Sequence, residues 1–324
     1  LRRLRVAIVY DCLFPWSIGG AERWYRSLAE ELTARGHEVV YLTRGTWDTD
    51  PGLAFPVVAV SSGGDNPYHS SGRRRVWPTL VFGFGVWRYL RRHRSIDVVH
   101  CASFPFFSVF GARVSRGLRR KPALVVDVIE VWPWSYWRSY LGPFLGAVGW
   151  LVERIAFRLA DDRFTLSVLQ GRRLGRVEAQ VLPGLFDGSV ADQADSTDPE
   201  ASYVLFVGRL IAEKGSVTLP GAIEMAQRAI PSLRAQIIGD GPERETVQKE
   251  IDDRGLRDSI EMRGFVDADA LRAALRGAAC VVLPSRREGY GLIVMEATAE
   301  GTPVITLRHP ENAAALLVES DVNG

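Results

Sequence analysis

Short apolar runs recur along this chain of 324 residues, separated by polar, glycine-bearing loops and by stretches with helical spacing. The first run, Arg5 to Asp11, predicts a buried strand flanked by basic residues. Gly19-Gly20-Ala21-Glu22 then opens a helix whose apolar face includes Trp24, Leu28 and Leu32. Gly36-His37-Glu38 stops that helix, with His37 as a stop residue, and Val39 to Thr43 is the next strand. Strand, glycine loop, helix, strand is the beginning of a mononucleotide-binding half. Between Pro51 and His100 the pattern loosens. Ser61 to Pro67 reads as a loop and Arg73-Arg74-Arg75 as a basic run. Val76 to Leu90, charged only at Arg88, reads either as a buried helix or as apolar surface bordered by Arg91, Arg92 and Arg94. Val98 to His100 ends a strand and Lys121 to Ile129 forms another. Leu151 to Leu159 is helical, and Arg163 to Ser167 and Gln180 to Pro183 are the last strands of this half.

The alternation restarts at Tyr203. Strands are predicted at Tyr203–Val207, Leu233–Ile238, Ile260–Arg263 and Cys280–Leu283, with helices running to about Ala229, to about Arg254 and from about Asp269 to Arg276. The expected architecture is α/β: a first Rossmann-like domain over 1–182, a linker over 183–200 rich in Gly, Ser, Asp and Pro, and a second Rossmann-like domain over 201–324. In each domain the loops that end strands fall on one edge of a parallel sheet, where such folds bind ligands.

Composition is ordinary for a globular protein, at 47% hydrophobic and 24% charged, but the charge is unevenly spread. Up to Leu182 there are 26 Lys and Arg against 15 Asp and Glu; from Pro183 on, 14 against 23. Cys12, Cys101 and Cys280 lie far apart without metal spacing, which excludes a disulfide framework and fits a reducing cytosol. No signal peptide is evident, and the uncharged run from Ser139 to Val152 is too short and too interrupted to span a bilayer. The chain begins at Leu1 and stops at Gly324 directly after an apolar run, so the C-terminal domain is expected to be truncated.

The most informative stretch runs from Pro284 to Ala297. An apolar strand leads into a polar loop closed by Gly289 and Gly291, then into a helix to about Glu300 and a further strand around Val304. Such a loop delivers free backbone N–H groups to a helix N-terminus, a site for phosphate or diphosphate. Glu296 on the helix and Glu288 on the loop can accept hydrogen bonds from hydroxyl groups on either side of that phosphate, which implies a ribose at one end and a sugar at the other. Against this stands an ordinary Rossmann-like turn with two exposed glutamates. Arg209 and Lys214, on the first strand-ending loop of the same domain, share that edge and together make a diphosphate clamp.

In the first half, His100 sits where a site residue could, although a structural histidine fits as well. Trp132, Trp134 and Trp137, with Tyr136 and Tyr140, suit sugar faces, a lipid headgroup region, or packing between a loop and the next helix. The strings Asp48-Thr49-Asp50 and Asp267-Ala268-Asp269 suggest metal binding less well than helix capping, so no metal is expected. A dinucleotide oxidoreductase would need a Gly-x-Gly-x-x-Gly after the first strand, which is missing, and no nucleic-acid module accompanies the basic half.

The ordered set Gly19-Gly20-Ala21-Glu22, Gly36-His37-Glu38-Val39, Gly208-Arg209-Leu210 to Lys214-Gly215, Gly239-Asp240-Gly241-Pro242, Gly264-Phe265-Val266 and Pro284-Ser285 with Glu288 and Glu296 resembles the family 4 glycosyltransferases. These are retaining enzymes of the GT-B fold, in which two Rossmann-like domains face each other across a cleft. The resemblance implies transfer of a sugar from a UDP- or GDP-sugar, bound by the second domain, to a glycan or lipid-linked acceptor on the first, without cofactor or metal. Arg209, Lys214 and Glu288 would be catalytic. Gly19, Gly20, Arg209, Lys214, Gly239, Gly289, Tyr290, Gly291, Leu292 and Glu296 would bind the donor. His100, Asp127, Glu130, Trp132, Trp134 and Trp137 are acceptor-side candidates.

Two departures stand out. Ile129 occupies the place where the family often has a histidine that touches the donor sugar, and family members usually continue past Asn323-Gly324 with helices that return to the first domain. The first departure keeps open an alternative, a catalytically silent nucleotide-sugar-binding protein or scaffold. The basic, Trp-rich first half further suggests a cytoplasmic enzyme peripheral to an anionic membrane, working in cell-envelope polysaccharide or glycolipid synthesis.

Overall fold

The computed structural model describes residues 2–17, 19–47, 52–64, 74–117, 119, 121–182 and 203–324. The chain divides into two compact units, Leu1–Leu185 and Phe186–Gly324. The expected linker, 183–200, lies outside the described residues.

In the first unit, β1 (Arg5–Val9), α1 (Gly20–Ala34), β2 (Glu38–Gly45), β3 (Val57–Ser62), α2 (Val76–Arg92), β4 (Val98–Ala102), α3 (Phe106–Ser115), β5 (Ala123–Val128), α4 (Trp134–Leu141), α5 (Pro143–Leu159), β6 (Asp162–Thr165), α6 (Val168–Leu174) and β7 (Gln180–Val181) follow in order. The strands make a parallel sheet with the order β3-β2-β1-β4-β5-β6-β7 among the described residues. Its core joins β1, β4 and β5 (Val9, Val99, Leu124, Val126) to α2 (Phe82, Val86), α3 (Phe106, Val109) and α5 (Ala156, Phe157). These three helices therefore form one layer on one face. α1, whose crossover runs the opposite way along the sheet, belongs to the other face.

Several expectations are corrected here. Ser61 and Ser62 end β3 and are not loop; the apolar run Val57 to Val60 carries this edge strand, and its partial burial lets two serines continue it. α3, α4 and α6 went unpredicted, and α5 begins at Pro143 instead of Leu151. Gly146 and Gly149 look like interruptions of a helix. They are points of close packing, because a Cβ at Gly146 would lie 2.6 Å from the Trp137 carbonyl oxygen and one at Gly149 2.3 Å from the Trp137 ring. The inward face of α1 is carried by Trp24, Tyr25 and Ala29, with Leu28 and Leu32 half-buried.

The second unit runs β8 (Tyr203–Val207), two short 3-10 turns, α7 (Leu219–Gln227), β9 (Arg234–Ile238), α8 (Arg244–Asp253), β10 (Ile260–Gly264), α9 (Ala268–Arg276), β11 (Ala278–Leu283), β12 (Arg287–Glu288), α10 (Leu292–Ala299), β13 (Val304–Thr306) and β14 (Glu311–Asn312). Its parallel sheet has the order β10-β9-β8-β11-β13. Successive residues of a strand face opposite sides. Accordingly Leu205 joins a core with Leu275, Leu283 and Val294, while Val204 and Phe206 join another with Ile223, Val247 and Ile251.

Candidate functional site

Every strand pair in the second sheet is parallel, so the loops after β8, β9 and β11 gather at one edge. Glycines let their backbones interlock. A Cβ on Gly239 (φ +137°) would stand 1.9 Å from the Gly208 carbonyl oxygen, and one on Gly215 (φ +68°) 2.7 Å from that of Pro284. Backbone bonds lock the loops further: Leu210 N–H donates to Asp240 O at 2.9 Å and Arg286 N–H to Glu213 O at 3.0 Å.

This edge brings Lys214 and Glu288 together. The Lys214 ammonium bonds Glu288 Oε1, and Ser285 Oγ donates to the same oxygen at 3.0 Å. Glu288 is buried and Lys214 half-buried, so the pair is shielded from bulk water and its geometry is held. Arg209 is not gathered in: it stands exposed on the β8 loop and pairs with no described carboxylate. Gly291, at φ +99° and ψ +54°, is the N-cap of α10 with no side chain capping the helix and no acidic residue in its first turn. Val294 N–H turns back to Gly291 O at 2.9 Å, and no side chain caps the N–H groups of Leu292 and Ile293 ahead of it, the kind of start that suits an anion. Tyr290 is buried. Glu296 lies four residues along α10 from Leu292, about 6 Å along the axis, and is half-buried.

A residue the sequence did not disclose braces this loop. Asn312 Nδ2 donates to Ser285 O at 3.1 Å and Leu307 O at 2.7 Å, and its Oδ1 accepts from Ala314 N–H at 3.1 Å. β14, which contains it, pairs with β12, which contains Glu288. An Asn placed shortly after the last strand is too common a turn residue to signal this.

On the first unit, His100 and Asp127 lie on adjacent strands; His100 stands in the middle of β4, which runs on to Ala102 instead of ending at His100, and Asp127 lies near the end of β5. His100 Nε2 lies 2.8 Å from Asp127 Oδ1, and Trp24 Nε1 donates to Asp127 Oδ2 at 3.0 Å. Asp127 is buried; burial of Tyr25, with the Asp127 charge added, pushes the Tyr25 phenol well above its ordinary range. Asp127 thus positions His100 and Trp24 and does not itself face outward. The Trp cluster divides. Trp137 is buried in the core, Trp132 is half-buried with its Nε1 donating to Glu130 at 2.9 Å, and Trp134 is exposed against Trp150. Trp137 is therefore corrected from acceptor candidate to core residue. Glu153, fully buried, accepts from Trp132 N–H at 3.0 Å and Trp137 Nε1 at 3.3 Å; burial raises its carboxyl to about 7 against these two bonds.

Asp11, just beyond β1, was also missed. It is buried and paired with Arg74, whose guanidinium lies 4.9 Å over the Phe104 ring. An acid directly after the first apolar run was the available signal. The Gly19-Gly20 loop holds a carboxylate of its own: Glu22 lies against Gly19, its Oε1 accepting from Ser17 Oγ at 3.1 Å. His37 accepts from Leu4 N–H at 3.3 Å, a structural role. Asp267 caps α9, accepting from Ala270 N–H at 2.7 Å, while Asp48 to Asp50 lie outside the described residues. Among the described residues, no group of three His, Cys, Asp or Glu is placed to hold a metal.

With this geometry in hand, the known proteins can be compared. Residues 18–175 match the family described as Glycosyltransferase Family 4, and residues 191–324 match that described as Glycosyl transferases group 1. The chain is 32% identical over 174 residues to the alpha-D-kanosaminyltransferase of Streptomyces kanamyceticus, covering 53% of this chain and 40% of that protein. It is 27% identical over 319 residues to the glycogen synthase of Mycobacterium tuberculosis, covering 90% and 75%. Among solved structures, sucrose-phosphate synthase from Thermosynechococcus elongatus superposes with a TM-score of 0.73 at 20% identity, over 94% of this chain and 81% of that one. The Anabaena protein HepE, in complex with UDP and glucose, superposes with a TM-score of 0.70 at 18% identity, over 99% and 85%. The chain belongs to the family 4 glycosyltransferases and has the GT-B fold.

Proposed function

We propose that this protein transfers a sugar, with retention at the anomeric carbon, from a UDP- or GDP-sugar to a glycan or lipid-linked acceptor at the cytosolic side of a membrane, in cell-envelope polysaccharide or glycolipid synthesis. The carrying observation is the Lys214–Glu288–Ser285 cluster on the same sheet edge as the uncapped start of α10. As the sugar leaves, negative charge builds on the diphosphate. Lys214, Arg209 and the N–H groups from Gly289 to Leu292 stabilise it, each well-placed donor contributing on the order of 3 kcal/mol. Glu288 holds sugar hydroxyls and Glu296 the ribose. The donor's own phosphate takes the acceptor proton, so neither a metal nor a side-chain base is required. The UDP and glucose in the HepE complex support uridine over guanosine.

Ile129, half-buried directly after β5, favours a second reading, a nucleotide-sugar-binding protein without turnover. Calorimetric titration with UDP, GDP, ADP and their sugar conjugates tests both. One nucleotide should bind, more weakly to Glu296→Ala and Arg209→Ala, and its sugar conjugate should be turned over with the anomeric configuration kept by NMR. Binding without turnover would select the second reading; an inverted product would remove retention; no binding at all would remove the donor site.

A further inference from the structure

α5 has two apolar faces. The inner one, with Gly146, Ala156 and Phe157, belongs to the core. The outer one repeats at spacings of four, three and four: Phe144, Val148, Leu151 and Ile155 are 87%, 57%, 53% and 38% exposed. Residues so spaced make one stripe along a helix, here about 17 Å long. α2 repeats the arrangement with Trp77, Val81 and Phe84, of which Trp77 is 70% exposed. α3 lies between them. Its seam with α2 opens as a groove of about 360 Å³ whose side chains are all apolar, among them Leu80, Phe84, Trp87, Phe107, Phe110 and Val114. All three helices belong to one layer, so these surfaces form a single outward face, larger than the scattered apolar residues of an ordinary surface.

The charges around it are mainly basic. Arg88, Arg91, Arg92 and Arg94 are exposed at the end of α2, Arg119 beyond α3 and Arg158 at the end of α5. From Arg74 to Asp162 the acidic residues are Asp97, Asp127, Glu130, Glu153, Asp161 and Asp162, and Asp161 is paired with Arg116 at the end of α3. Within α2, α3 and α5 the one acidic residue is Glu153, which is fully buried. Trp134 and Trp150 meet edge to face beside the α5 stripe, as aromatic rings do at a membrane interface. A second copy of the chain is a poor occupant, because isologous packing would set one arginine rim against another. An apolar face bordered by guanidinium groups matches acyl chains bordered by lipid phosphates.

We propose that the outward faces of α2, α3 and α5 are the surface by which this protein lies on an anionic bilayer, with the α2–α3 groove taking up part of a lipid chain. This deepens the membrane-side part of the proposed function and rests on it.

Flotation with phosphatidylglycerol-containing and phosphatidylcholine-only vesicles is the test, with circular dichroism as the check on folding. The protein should float with the anionic vesicles at low salt. The pairs Phe144→Asp with Leu151→Asp, and separately Trp77→Asp with Phe84→Asp, should each lower the partition at least about tenfold. Arg88, Arg91 and Arg92 to Ser should lower it about fivefold per charge. Leu316→Asp, an exposed apolar site on the second unit, should leave it unchanged. No preference for anionic vesicles, or stripe variants that float like the parent, would overturn the proposal. So would a concentration-dependent dimer in sedimentation that the stripe substitutions abolish. Nucleotide titration on the same preparations separates the two readings: vesicle binding lost with donor binding kept strikes this face alone, and the reverse strikes the transferase reading alone.

Discussion

Gly291→Ala asks two things of the fold at once. At φ +99° the backbone is in the left-handed region, which costs an alanine about 1–2 kcal/mol. Its new Cβ would also lie 2.5 Å from the Cβ of Ala314 and 3.1 Å from its Cα. Carbon atoms rest about 3.5–4.0 Å apart, so one of the two segments must move by about 1 Å. Ala314 is fully buried and its N–H is held by Asn312, so the movement is resisted and costs about 1–3 kcal/mol as overpacking. Together the two effects come to about 2–5 kcal/mol. At about 2–4 °C per kcal/mol, the unfolding midpoint of the second unit should fall by about 4–20 °C. Ala314→Gly removes the overlap but not the left-handed strain. In a double-mutant cycle followed by thermal and urea unfolding, the two substitutions should therefore couple favourably by about 1–3 kcal/mol. Nucleotide binding should weaken in Gly291→Ala and recover in part in the double variant. Additivity to within about 0.5 kcal/mol would refute the contact, and with it the account of why α10 must open on glycine.

Two further outcomes follow from buried polar groups. Glu153 has its carboxyl raised to about 7, so the fold favours the neutral acid. Its contribution to stability is full below the unfolded value of about 4.5 and is lost as pH rises through about 7, a change on the order of 3 kcal/mol. Urea midpoints of Glu153→Gln should accordingly gain on the parent between pH 5 and 8, and parallel profiles would contradict the buried acid. Asn312→Ala leaves the carbonyls of Ser285 and Leu307 without their donor; it should cost about 1–3 kcal/mol of stability and weaken nucleotide binding, while Asn323→Ala, which bonds Leu317 O near the chain end, should leave binding intact in the same titration.

The second unit was the more legible because its signals are local. β8, β9 and β11 are apolar runs closed by glycine or proline, and a glycine at a positive φ marks a loop whatever its tertiary surroundings. That Lys214 and Glu288 share an edge followed from the parallel order; that Ser285 joins them on one oxygen did not. In the first unit the apolar pattern was misleading. Helix α5 is apolar on both faces, so no amphipathic period marks where it begins, and its glycines answer to the Trp137 side chain and carbonyl of another helix. Asn312 and Glu153 act through carbonyl and N–H groups 5 to 27 residues away, distances over which sequence alone carries no pairing signal.

Both units open a helix on glycine at a sheet edge, yet the two starts differ electrically. At α1, Glu22 turns back onto Gly19 and places a carboxylate at the helix start, whereas α10 has no acid in its first turn. On the proposed reading an anion is drawn to the second start and not the first, even though the half of the chain that holds it has 14 Lys and Arg against 23 Asp and Glu. The attraction has to be local: a few oriented N–H groups and Lys214, itself half-buried, acting within less than the roughly 8 Å over which salt screens charge at physiological strength. The arginine border of the first unit is exposed and acts on a distant, extended charge. Nucleotide affinity should then change little as salt rises, while vesicle binding should fall steeply. A nucleotide affinity as salt-sensitive as the vesicle binding would mean that exposed Arg209 carries most of the attraction for the diphosphate and the shielded pair and helix start little of it.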